Sequence, residues 1–210
     1  MTAHRSLIRR AAAVAATATA AAVLAACGGG DDNPSGHDGH SRSASPSASA
    51  PARQGEHNAA DVTFAKGMIP HHRQAVEMAE LAETRAGSAE VKKLAAEIKK
   101  AQDPEIKTLS GWLTSWGEAV PEEEESGEHA GHSMSGMMTP EEMDRLEKSS
   151  GKAFDTAFLE MMVKHHEGAV EMAETEQSGG AYQPAKDMAG DIITSQSAEI
   201  TRMNELLGKS

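Results

Sequence analysis

"DVTFAKGMIPHHRQAVEMAE", residues 61–80, returns further along the chain as "DTAFLEMMVKHHEGAVEMAE", residues 155–174. Downstream, "AAEIKKAQDPEIKTLSGWL" (95–113) lies over "AGDIITSQSAEITRMNELL" (189–207) in the same register. Residues 61–113 and 155–207 align without a gap, with 18 identities in 53 pairs. The chain is an internal duplication of two copies, too few for a solenoid. In both copies apolar residues recur three and four apart and β-branched alternation is absent, so each copy reads as helix.

Working outward, each copy divides at a turn. Asn58 is a good N-cap with Asp61 at the third helical position, which predicts a helix from there to about Arg85. Gly87 and Ser88 turn the chain, and Ser88 caps a second helix from Ala89 to about Trp116. The second copy predicts helices over about 152–176 and 183–207, with Gly179-Gly180 between them. Thr139, Pro140 and Glu142 in "TPEEMDRLEKSS" supply the cap, first-turn proline and capping-box glutamate of a short connecting helix. The expected fold is all-α: a four-helix bundle of two duplicated helical hairpins plus that short helix. Only six residues are Phe, Trp or Tyr, so the core must be built from Ala, Leu, Ile, Val and Met.

The ends set the context. "MTAHRSLIRR" and the short apolar run after it have the form of a secretory leader over residues 1–26. "LAAC", residues 24–27, resembles a bacterial lipobox, which makes Cys27, the only cysteine, the expected lipidation site. Acyl chains there would anchor the protein to the membrane on its extracytoplasmic face. Residues 27–57 are rich in Gly, Ser, Pro and Ala and read as a tether. The bundle domain is expected over 58–210: repeat one at 58–117, an acidic His/Met-rich loop at 118–138, and repeat two at 139–210. Without the leader, 17 Lys plus Arg stand against 32 Asp plus Glu, a net charge of −15. Such a surface repels nucleic acid and attracts cations. A metal ion is therefore an expected partner, the membrane is one only through the acyl anchor since the same charge repels anionic lipid, and the sequence identifies no protein partner.

The repeated motif carries the chemistry. On a helix, Phe64, Met68, His71, Ala75 and Met78 share a seam, as do Phe158, Met162, His165, Ala169 and Met172. His72 and His166 lie about 100° away around the axis, so one helix cannot turn both its rings onto one ion. A histidine and the methionine three or four residues before it can share one. Thioether with imidazole is a soft donor set that suits Cu(I) and disfavours magnesium, manganese and ferrous iron. A di-iron oxidase would need glutamate three residues before each histidine, where Met68 and Met162 stand, and no enzymatic activity is expected. The helical zinc-protease motif is absent, because no histidine follows His166 at four residues. Pro70 removes a backbone hydrogen bond and predicts a kink just ahead of His71 in the first copy alone. The competing reading is a binding or scaffold module with structural histidines, for which Gln102, Glu105, Gln196 and Glu199 would be the partners. The loop residues His129, His132, Met134, Met137 and Met138 repeat the soft ligand types and are candidate auxiliary ligands.

"FAKGMIPHHRQAVEMAELA", "FLEMMVKHHEGAVEMAETE" and "GMMTPEEMDRL" together resemble the bacterial domain-of-unknown-function family 305, over nearly all of residues 58–208. That ferritin-like group includes the CopM-type copper-binding proteins. The resemblance implies a ferritin-like helical bundle and extracytoplasmic copper binding through His and Met. Carried over by position, it points to Met68, His71, His72 and Met78, and to Met162, His165, His166 and Met172. Lys164 stands where the first copy has Pro70.

Overall fold

The computed structural model describes residues 55–122 and 135–209. The leader, Cys27, most of the tether, and His129, His132 and Met134 lie outside the described residues. Five helices follow in order: α1 (Ala59–Arg85), α2 (Ala89–Trp116), α3 (Pro140–Lys148), α4 (Gly151–Gly179) and α5 (Gln183–Leu206). The expected caps start α1, α2 and α3, whereas α4 and α5 begin without a side-chain cap. The Asn58 side chain accepts from the N–H groups of Ala60 and Asp61, and the Asp61 carboxylate returns the bond to the Asn58 N–H. The Ser88 hydroxyl takes the Glu90 and Val91 N–H groups. Thr139 and Glu142 form a second capping box at α3. α1 continues unbroken through Pro70, from Ala59 to Arg85.

α1 packs against α2, α4 against α5, and α1 against α4, while the short α3 touches α1 and α4. The apolar interior forms two clusters. One joins Ala75, Met78, Ala79 and Ala82 of α1 to Phe154, Phe158 and Met162 of α4. The other joins Phe64, Ala65, Met68 and Ile69 of α1 to Ala169 and Ala173 of α4. The late part of α1 thus meets the early part of α4 and the reverse, so the two central helices run antiparallel. As expected, small aliphatic side chains and methionine dominate both clusters. Both tryptophans and the only tyrosine instead group at one end, where Trp112 and Trp116 meet Tyr182 edge-on and His57 stacks on Trp116.

The two hairpins grip each other reciprocally. Asp61 of α1 accepts from the Ala181 and Tyr182 N–H groups in the α4–α5 turn, at 3.1 and 2.9 Å. Asp155, its counterpart in the second copy, accepts from Gly87 and Ser88 in the α1–α2 turn, both at 3.0 Å. Each aspartate satisfies N–H groups at the start of the other hairpin's second helix, which no intrahelical carbonyl can reach. The duplication seen in sequence is therefore a near-twofold arrangement in space.

Candidate metal centre

Between the two apolar clusters lies a polar layer at the middle of the bundle. His71, His72, His165 and His166 are all fully buried there. Helix geometry sends adjacent histidines different ways, and the packing shows where. His71 and His165 face each other across the α1–α4 contact, with ring centroids 3.7 Å apart and planes at 40°. His72 turns towards α2, where its Nε2 lies 2.7 Å from the Glu105 carboxylate. His166 turns towards α5 and meets Glu199 at the same distance. The near-twofold relation thus holds for the histidines as well.

The ring nitrogens reveal what the layer can hold. A carboxylate facing Nε2 of His72 and His166 fixes the proton there, which leaves the lone pair on Nδ1. His71 Nε2 donates to the Ser135 carbonyl at 3.3 Å, with the same consequence. The Nδ1 atoms of all four histidines are buried without a hydrogen-bond partner, and so is Nε2 of His165. An unsatisfied buried polar atom costs roughly 1–3 kcal/mol, so this many in one layer points to a ligand that uses them. A histidine that donates one N–H to a carboxylate and keeps the other nitrogen bare is the arrangement found around metal-binding imidazoles. Burial, then the neighbouring His72, lowers His71 to about 3. Burial and the facing His71 push His165 well below its ordinary value. Both rings are neutral at physiological pH, the form that ligates.

Methionines flank the layer on both sides. Met68 and Met162 are fully buried three residues before His71 and His165. Met78 is buried in the cluster of Met162, and Met172 is half-buried against the cluster of Met68. Among the described residues, no three His, Cys, Asp or Glu side chains converge on one point. The layer therefore offers imidazole, with thioether in the clusters on either side, a soft combination of residue types, and no cage of carboxylates. All eight positions anticipated from sequence fall in the bundle. It brings the His71 and His165 rings face to face, while His72 and His166 reach glutamates on α2 and α5, the His165 and His166 centroids lying 6.5 Å apart. Of the loop candidates, Met138 is buried in the first cluster and Met137 is half-buried.

Sequence reasoning had named Glu105 and Glu199 only as partners of structural histidines. It missed Gln74, whose amide binds the Met138 main chain, and Gly168, which lies against Ser135. The signal was present, since these two face each other in the repeat alignment beside six identical pairs, 75–80 with 169–174. Also missed was Glu176, fully buried beside Asp61 with neither oxygen meeting a donor.

Residues 61–207 match the family described as a domain of unknown function, DUF305. A DUF305 protein from Streptomyces coelicolor has 33% sequence identity and a TM-score of 0.65, with 71% of this chain and 93% of that one covered. A DUF305 fragment from Deinococcus radiodurans has 27% identity and a TM-score of 0.65 over 73% and 98%. CopM in its Cu(II)-bound form has 37% identity and a TM-score of 0.61 over 70% and 94%. CopM structures with Cu(I), with silver and without metal also match. No curated protein matches the chain.

Proposed function

The chain belongs to the DUF305 family, and from that premise we propose that it is a copper-binding protein that takes Cu(I) through histidine and methionine. We further propose that it is lipid-anchored through Cys27 on the extracytoplasmic face, and that it sequesters the ion or passes it on without catalytic turnover. One observation carries the metal reading: four buried imidazoles with unpartnered Nδ1 atoms, in a layer flanked by buried methionines. His71 and His165, with Met68 and Met162, are the first ligands proposed. His72 and His166 would add donors held in orientation by Glu105 and Glu199. The metal-bound forms of CopM, a structural relative above one-third identity in its Cu(II) form, support the same reading. The expected result is that the domain competes with a chromophoric chelator for Cu(I), and that His71→Ala/His165→Ala weakens this by at least tenfold. Competition unchanged in the double variant would overturn it.

A second reading is favoured by the His72–Glu105 and His166–Glu199 pairs, which resemble structural buried hydrogen bonds. On that reading the histidines only hold hairpins together. Silver or Cu(I) would then leave the melting temperature unmoved, while the same double variant would unfold more easily.

A further inference from the structure

We propose that residues 135–138 form a strap over the paired histidines, and that Gln74 and Gly168 are positioning residues that set how fast metal enters and leaves. The inference rests on His71 and His165 being ligands, while the seat of the strap can be observed without metal.

The strap is fastened at both ends. The Met138 N–H donates to Gln74 Oε1 at 2.7 Å, and Gln74 Nε2 donates to the Met138 carbonyl at 3.0 Å, both buried. One side-chain amide thereby pairs with the strap as a neighbouring strand would, and the Met138 side chain is buried in the cluster of Met78 and Met162. At the other end the Ser135 carbonyl accepts the His71 Nε2–H. Between them Gly136 has φ +81°, and a Cβ on it would stand 2.6 Å from the Lys164 carbonyl oxygen and 3.0 Å from that of His165. On α4, a Cβ at Gly168 would lie 2.0 Å from the Ser135 oxygen. The strap crosses α4 only because that helix has no side chain there.

Each repeat contributes half of this seat. The first supplies the gripping amide, Gln74, and the second, at the matching position, supplies the gap, Gly168. α2 and α5 take His72 and His166, and the strap closes over His71 and His165. Lifting it removes the hydrogen-bond partner of the His71 ring and uncovers the pair, with no helix displaced. The two copies are thereby made unequal at the histidines by the strap, whereas Pro70 leaves α1 continuous.

The test uses Gly168→Ala, Gln74→Ala and Gln74→Glu in the whole domain. Alanine suits a helix better than glycine, so Gly168→Ala should leave the circular dichroism unchanged while its methyl evicts the Ser135 carbonyl. The Met138 amide should be protected from hydrogen exchange in the parent and exchange about tenfold faster or more in Gly168→Ala and Gln74→Ala. Gln74→Glu keeps the acceptor and loses the donor, and should fall between. Bound Ag(I) should pass to a competing chelator correspondingly faster in the same order. Unchanged exchange at Met138 in Gly168→Ala would overturn the seat. Faster exchange with unchanged Ag(I) transfer would overturn the control of metal passage. A parent domain that takes up no Ag(I) would overturn the ligand reading, and the role of the strap with it.

Discussion

Glu105 and Glu199 each hold a histidine by one nitrogen and leave the other bare, and both carboxylates are about one-fifth exposed while the rings are fully buried. If they orient ligands, Glu105→Gln and Glu199→Gln should weaken Cu(I) binding by about 10- to 100-fold while the fold persists, because an amide can still bond the ring but does not raise its basicity. Isothermal competition with a Cu(I) chelator checks this. Glu176 raises a separate matter of proton balance. Burial, then its bond to Asp61 and the charge of that residue, pushes its carboxyl up to about 8, and the opposing Lys186 charge does not overcome this. For Asp61, burial acts upward, yet bonds from Glu176 and from the N–H groups of Asn58, Tyr182 and Ala181 outweigh it and hold the carboxyl low. A raised acid binds its proton more tightly folded than unfolded, so stability present below about pH 4.5 is progressively lost as pH rises towards 8. Glu176→Gln should therefore raise the melting temperature at pH 8 and flatten its decline across that window. A melting curve at each pH decides it, and an unchanged slope would contradict the assignment.

At the scale of elements, the reciprocal aspartates do what loop sequences alone could not. Asp155→Ala hands the Gly87 and Ser88 N–H groups to water and should cost roughly 0.5–1.5 kcal/mol, read as a lower midpoint in urea with unchanged slope. The helices themselves were legible because their starts are local: Asn58, Ser88 and Thr139 with Glu142 each cap the chain they precede. The end of α4 was legible only in part. Gly179-Gly180 reads as a turn after Glu176, yet the helix continues to Gly179, where the Asn58 side-chain amide bonds the last carbonyl at 2.9 Å from the other hairpin. The glycine pair marks the stop, and the Asn58 amide from the other hairpin adds a partner that the helix's own sequence does not show. The same limit applied to the site. A 100° step said that adjacent histidines must diverge, but only packing assigned one of each pair to the partner hairpin and one to a glutamate. Gln74 opposite Gly168 was visible as a mismatch, and its meaning required the strap.

For the whole molecule, a polar layer between two apolar clusters is a place where a ligand adds stability directly. An ion that binds only the folded chain, at a free concentration a hundred times its dissociation constant, contributes about 2.7 kcal/mol. For a domain of this size that should raise the melting temperature by roughly 5–10 °C. Differential scanning of the domain with and without Ag(I) checks it, and the rise should vanish in His71→Ala/His165→Ala. A melting temperature indifferent to metal would favour the structural reading of the histidines.

The mutual grip of Asp61 and Asp155 has one more consequence. Each hairpin offers its partner the same surface that it accepts, which is the property of an isologous interface between identical subunits. The fused chain is thus laid out as a homodimer whose two protomers share one polypeptide, with His71 and His165 meeting near its symmetry axis. A site on such an axis needs only one set of side chains to be invented, because symmetry supplies the other. Within one polypeptide the halves need not match, and Gln74 facing Gly168 at the same position of the two copies gives the molecule a front and a back.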